Sequence, residues 1–161
     1  MKPKVYLETT VVSYLTARSS RDVVTAGMIA QTKRWWTEES DGFELLVSQI
    51  VVREASAGDS EAVRRRREVL AKLNTLEPDE EARLLAGVLL RNMALPANAA
   101  DDAAHIAIAA VNEVDYLLTW NCRHIANASM RPKVEALCLA EGYRCPVICT
   151  PHELRKPAHE D

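Results

Sequence analysis

Short runs rich in β-branched, aromatic and leucine side chains return along this chain between helical segments, and that alternation narrows the fold more than any other feature. The first run, Lys4-Val5-Tyr6-Leu7, leads into Glu8 and a threonine pair before helical patterning begins at Ser13-Tyr14-Leu15. Phe43 to Val47 is a second, Asn74 to Glu77 a weak third, Asp115 to Asn121 the clearest, and Pro146 to Thr150 the last. Strands that alternate with helices pair in parallel, with the helices as crossovers. The sequence therefore predicts an α/β domain of three layers around a central parallel sheet of four or five strands. Open sheets of this kind meet their ligands at the carboxyl ends of the strands. A strand buried on both faces holds an acid only at its tip, where water or an ion can meet the charge. Glu8 stands at such a tip.

At 161 residues the chain predicts one domain, 1–161, with no internal repeat and no linker, and with a polar tail from about residue 155. Hydrophobic residues make up 48% and charged residues 27%, the balance of a soluble globular protein. No apolar run is long enough to span a bilayer, and Met1 to Lys4 leads straight into a strand, so the expected location is the cytoplasm, without a membrane. The net charge of −3 gives no bulk attraction to nucleic acid, so any RNA contact must come from a local basic patch. Arg64 to Arg67 are one source, although four consecutive arginines on a helix point to all sides. Cys145, Cys149 and His152, with Cys138, are only loosely spaced as zinc ligands; reduced, buried, structural cysteines are the better reading of all four.

The helices are read from their starts and stops. Asp22 to Glu39 is helical, with Trp35 and Trp36 expected to pack between helix and sheet. Ser48 is an N-cap for a helix that carries Glu54 and stops before Gly58. Asp59-Ser60 and Pro78-Asp79 open two more helices. Asn92 to Pro96 breaks the pattern, and a buried Ala- and Ile-rich helix opens around Asp101-Asp102. Arg123 to Glu141 reads as largely helical, with Pro132 near its start or at a break.

Three acids thus stand at comparable places: Glu8 after the first strand, Glu54 on the helix after the second, and Asp102 or Asp101 opening a buried helix. Asn121 ends the strand that follows that helix. Carboxylates meeting in one cleft repel one another, and a divalent cation removes that penalty. Oxygen-only ligands suit Mg²⁺ or Mn²⁺, and the matching chemistry is metal-assisted phosphodiester hydrolysis. The plainer alternative keeps Glu54 as a surface acid and Asp101 and Asp102 as partners of a helix dipole. Thr9, Thr10 and Thr119 carry hydroxyls able to orient carboxylates or water, and His105 lies one turn after Asp102 on the same face. His124 and Asn127 are candidate substrate contacts. A receiver-type phospho-acceptor would need paired acids after the first strand and an active-site lysine late in the chain; only Glu8 follows that strand, and the strand end at Pro146 to Thr150 offers no lysine.

Tyr6 to Leu15, Ser48 to Glu54, Asp102-Ala103-Ala104-His105-Ile106-Ala107 and Tyr116 to Asn121, in that order and spacing, resemble the PIN-domain family, and within it the VapC-like ribonuclease toxins of bacterial toxin–antitoxin pairs. The resemblance implies a metal-dependent endoribonuclease with Mg²⁺ or Mn²⁺ held by Glu8, Glu54 and Asp102 and with Asn121 at a fourth catalytic position. It also implies an RNA substrate, a small antitoxin partner and a homodimer. Two positions depart from the pattern: Glu8 where Asp is usual, about one methylene longer, and Asn121 where Asp is frequent. Those departures leave a catalytically silent PIN-like binding module as the alternative.

Overall fold

A computed structural model describes residues 1–92 and 97–157; the break expected at Asn92 to Pro96 and the end of the polar tail fall largely outside them. In chain order the elements are β1 (Lys4–Leu7), α1 (Thr9–Thr16), α2 (Val23–Glu38), β2 (Glu44–Ser48), α3 (Gln49–Ala55), α4 (Ser60–Leu70), β3 (Asn74–Leu76), α5 (Glu80–Asn92), α6 (Ala100–Val111), β4 (Tyr116–Leu118), α7 (Arg131–Ala140) and β5 (Val147–Cys149). All five strands are parallel, in the order β3-β2-β1-β4-β5, with Val5 paired to Leu45 on one side and to Tyr116 on the other.

The chain steps outward from β1 to β2 to β3, then crosses back past β1 to reach β4 and β5. Right-handed crossovers place α1 to α4 on one face and α5 to α7 on the other. The packing agrees: α1 rests on α2, α3 and α4, while α5 rests on α6 and α7. The expected three-layer α/β/α domain with a parallel sheet is what forms. Val5, Tyr6 and Leu7 are buried completely, as a central strand covered on both faces requires. In α6 the small side chains Ala103, Ala107, Ala109 and Ala110 alternate with Ile106 and Ile108, and all are buried.

Several boundaries differ from the sequence reading, each for a local reason. Helix α1 begins at Thr9 rather than Ser13, because the Glu8 side chain accepts the Thr10 N–H and caps the helix where the strand ends. β4 covers three residues: the N–H groups of Trp120 and Asn121 donate to Thr10 Oγ1 and Thr119 Oγ1, which takes them off the ladder. The stretch from Arg123 is a series of turns, and the helix starts only at Arg131 with Pro132 in its first turn. There the Asn121 carbonyl accepts from Ile125 and Ala126, and the Asn127 side chain accepts from Ser129, so local bonds replace helical ones.

Trp35 is 1% exposed and stacks on Phe43 with ring centroids 6.0 Å apart, while Trp36 packs against the same core, as expected. Cys138 and Cys149 are buried, but Cys122 is exposed and Cys145 only half-buried; the reading of four buried cysteines holds for two, because Cys122 lies in a turn beyond the sheet edge. Of the arginine run, Arg64 pairs with Glu61 and Glu68, Arg65 donates to the Thr16 carbonyl and Arg66 to the Ala57 carbonyl. Those three arginines therefore tie α4 to its own face and to its neighbours. No helix among the described residues is long and apolar enough to cross a membrane.

Candidate active site

β1 and β4 are neighbours from which the chain departs in opposite directions, so the crevice beyond their carboxyl ends is the switch point of the sheet. Glu8 follows β1 and Thr119 to Asn121 follow β4. Glu8 is 4% exposed. Its Oε1 accepts the hydroxyls of Thr10 and Thr119, both at 2.6 Å, and its Oε2 accepts the Thr10 N–H at 3.0 Å. The Glu8 N–H donates to the Leu118 carbonyl at 3.0 Å, so backbone and side chain both stitch the two strand ends together.

Glu54 arrives on α3, which starts as expected with Ser48 capping it through the Val51 N–H at 3.4 Å. Glu54 Oε1 accepts the Thr9 hydroxyl at 2.6 Å and lies 2.7 Å from His105 Nε2. Its side chain is 31% exposed. Burial works to raise its carboxyl pKa, yet the hydrogen bonds from His105 and Thr9 outweigh burial and hold the group below its ordinary value.

Asp102, in the first turn of α6, is 20% exposed. Its Oδ1 accepts Asn121 Nδ2 at 3.1 Å and its Oδ2 accepts His124 Nδ1–H at 2.8 Å. Asn121 Oδ1 in turn accepts the His124 N–H at 3.1 Å, so this amide turns its nitrogen to the acid and its oxygen to the backbone. Asp101 faces elsewhere and pairs with Arg53 at 2.7 Å on the surface, which joins α6 to α3.

The sequence-predicted residues therefore fall into two hydrogen-bonded groups that meet in the first turn of α1. One runs from Asp102 through Asn121, whose N–H reaches Thr119 Oγ1 at 2.9 Å, to Glu8 and Thr10. The other joins Thr9, Glu54 and His105. Asp101 belongs to neither. Among the described residues no group of three His, Cys, Asp or Glu side chains is gathered tightly enough to hold a metal ion, the cysteine and histidine set near β5 included. The donor chemistry nonetheless suits a hard divalent ion, which takes one or two carboxylates and completes its shell with waters and substrate phosphates. Glu54 and Asp102 are the partly open carboxylates of the edge. Glu8 is the closed one, buried and accepting three hydrogen bonds from the chain.

No family model and no curated protein matches the sequence. Solved structures do match in shape. A toxin–antitoxin complex from Klebsiella pneumoniae superposes with a TM-score of 0.58 at 17% identity, over 94% of this chain and 100% of that one. VapC20 of Mycobacterium tuberculosis, described as a sarcin–ricin loop cleaving toxin, gives 0.59 at 12% identity over 75% of this chain and 92% of its own. VapBC-1 of nontypeable Haemophilus influenzae gives 0.55 at 16% identity over 92% and 98%. The fold is the PIN-like fold of these toxins.

Two participants escaped the sequence reading. Tyr6 and Ser48 extend the Glu54 group inward, through a 2.6 Å contact from Tyr6 OH to His105 Nδ1 and a 2.7 Å contact from Tyr6 OH to Ser48 Oγ. Their signal was present: a tyrosine in a fully buried strand and a histidine in an Ala- and Ile-rich helix each need a polar partner, and each is the natural partner of the other. His124, a candidate substrate contact by its sequence position, is a direct partner of Asp102. Asn127 braces its own turn through Ser129 and Arg123.

Proposed function

We propose that this protein is a divalent-metal-dependent endoribonuclease, the toxin of a toxin–antitoxin pair acting in the cytoplasm. The observation that carries the reading is the meeting of two hydrogen-bonded groups, one with Glu8 and Asp102 and the other with Glu54, at one sheet edge, the switch point of a fold shared with such toxins. Glu54 and Asp102 are the proposed ligands of Mg²⁺ or Mn²⁺, and Glu8 joins them through the remaining lone pair of Oε2. A bound ion would supply the positive charge that offsets the phosphodiester oxygens and the acids themselves. Thr9 and His105 orient Glu54; Asn121 and His124 orient Asp102; Thr10 and Thr119 hold Glu8.

RNA is expected to be cut in the presence of Mg²⁺ or Mn²⁺ and spared in EDTA. Glu54→Gln should lower cleavage by on the order of 100-fold, the scale seen when one charge-stabilising group leaves an active site. Cleavage that persists in EDTA and ignores Glu54→Gln overturns the reading. The partners proposed with it are a small antitoxin encoded beside this protein and a second copy of the chain. Co-purification with the neighbouring gene product and the solution mass of the isolated protein test them.

A second reading, a catalytically silent PIN-like module that binds RNA or protein, draws on two observations. The hydrogen bonds Glu8 accepts are those of a buried helix cap, and the Asn121 oxygen is already taken by His124. RNA binding without cleavage across a Mn²⁺ titration would select it.

A further inference from the structure

The hydrogen-bonded group around Glu54 does not end at the site. From Glu54 Oε1 it passes to His105 Nε2 at 2.7 Å, from His105 Nδ1 to Tyr6 OH at 2.6 Å, from Tyr6 OH to Ser48 Oγ at 2.7 Å, and finishes on the Val51 N–H at 3.4 Å. His105 is 1% exposed, and Tyr6 and Ser48 are 0% exposed, so solvent does not replace a missing partner. Tyr6 and His105 also meet edge to face, with ring centroids 5.8 Å apart.

With a single hydrogen on the His105 ring, the acceptor at the Glu54 end fixes the direction of every bond that follows. A carboxylate only accepts, so His105 Nε2 carries the hydrogen aimed at Glu54. In a neutral imidazole Nδ1 is then an acceptor, and Tyr6 must donate to it. The Tyr6 oxygen thereby accepts from Ser48, whose own oxygen accepts the Val51 N–H. Burial pushes the Tyr6 hydroxyl far above its ordinary pKa, in keeping with a phenol that keeps its proton. Each bond polarises the next in the same sense, so a donor at Nδ1 makes Nε2–H a stronger donor to Glu54.

We propose that Tyr6 and Ser48 are positioning residues for Glu54: Tyr6, itself held by Ser48, donates to His105 Nδ1, so that the hydrogen on the ring's Nε2 is kept on Glu54 Oε1. Oε2, which accepts no hydrogen bond among the described residues, is thereby presented as the free oxygen of that acid. The device links the helix cap of α3 to the acid that the same helix carries, because Ser48 both opens α3 and starts the relay. What Glu54 is held ready for rests on the metal-dependent reading above; the chain of contacts from Ser48 to Glu54 rests on geometry alone.

The test uses the whole, metal-free protein labelled with ¹⁵N at histidine. At neutral pH His105 is expected to show a protonated Nε2 and an unprotonated, hydrogen-bonded Nδ1. Tyr6→Phe keeps the ring and removes the donor. It should move the Nδ1 signal to that of an unbonded nitrogen and shift the Nε2–H proton as its bond to Glu54 weakens. Mn²⁺ affinity by calorimetry should fall about three- to tenfold, below the loss typical of a group in direct contact with a metal ligand. Ser48→Thr, which keeps a hydroxyl, should retain the parental His105 signals. A parent whose His105 carries hydrogen on Nδ1, or on both nitrogens, overturns the proposal even if no variant folds. So does a Tyr6→Phe protein whose Nε2–H signal stays parental, or whose Mn²⁺ affinity is unchanged. A parent that binds no Mn²⁺ at all counts against the metal-dependent reading, and the histidine spectra then decide the proposal by themselves.

Discussion

Thr119 shows what a single hydroxyl does at this edge. It is fully buried, donates to Glu8 Oε1 at 2.6 Å and accepts the Asn121 N–H at 2.9 Å. Valine has nearly its shape and neither bond, so Thr119→Val leaves the half-buried Asn121 N–H without this partner and takes one of two hydroxyls from a buried carboxylate. The expected loss in unfolding free energy is about 1–3 kcal/mol, read by urea denaturation at neutral pH. Thr119→Ser keeps the hydroxyl and should cost less than the valine change. Equal losses for the two would assign the effect to packing of the methyl group instead. Set against a total stability of about 5–15 kcal/mol, the valine cost is large for a residue that carries no charge.

At the scale of elements, the opposite edge of the sheet has its own acid. Asp115, just before β4, accepts the Lys4 N–H on Oδ2 at 2.8 Å and Arg144 on Oδ1 at 2.9 Å, which joins the start of β1 to the loop before β5. The Lys4 N–H first, and then the Arg144 guanidinium, hold its carboxyl below the ordinary aspartate value. A pKa depressed by folding adds stability above the unfolded value, near pH 4, and that stability is lost as the pH falls through the folded value. Asp115→Asn should therefore melt below the parent at pH 7, and the gap should close as the pH is taken toward 3. A gap that stays constant over that range would show that the charge of Asp115 contributes nothing and only its shape matters. The two edges together show why β4 can be short: side chains hold its flanks, Asp115 before it and Thr10 after it.

Over the whole molecule, the described C-terminal segment is drawn back onto the turn after α2. Leu154 is buried, the Lys156 N–H donates to Glu39 Oε2 at 2.9 Å, Arg155 pairs with Glu39 and Lys156 with Asp41. Gly42 makes this fit possible, because a side-chain carbon there would collide with the Cβ of Lys156. Gly42→Ala should push the segment away and cost on the order of 1 kcal/mol, a fall in melting temperature of about 2–4 °C for a chain this long. Limited proteolysis should then cut within residues 150–157 faster than in the parent. Unchanged cleavage and melting would mean that the segment adapts to the extra carbon without releasing its ion pairs.

The order of strands and helices, the helix start near Asp22, the caps at Ser48 and Asp59, and the acids at strand and helix ends were legible in the sequence. They rest on local periodicity and on side chains that bond their own backbone. Tertiary structure alone decided how neighbouring residues divide their duties. Thr10 serves Glu8 while Thr9 serves Glu54; Asp102 turns into the cleft while Asp101 turns out to Arg53. Adjacent residues on a helix point about 100° apart, so the choice depends on what the fold sets on each side. Those partners lie far off in the chain: Glu54 is 45 residues from Thr9, and Thr119 is 111 from Glu8. The length of Glu8 is written in the sequence, but the use made of it is not. Its carboxylate closes onto the helix and strand beside it because hydroxyls from Thr10 and Thr119 converge there, and only the packed sheet edge brings those two together.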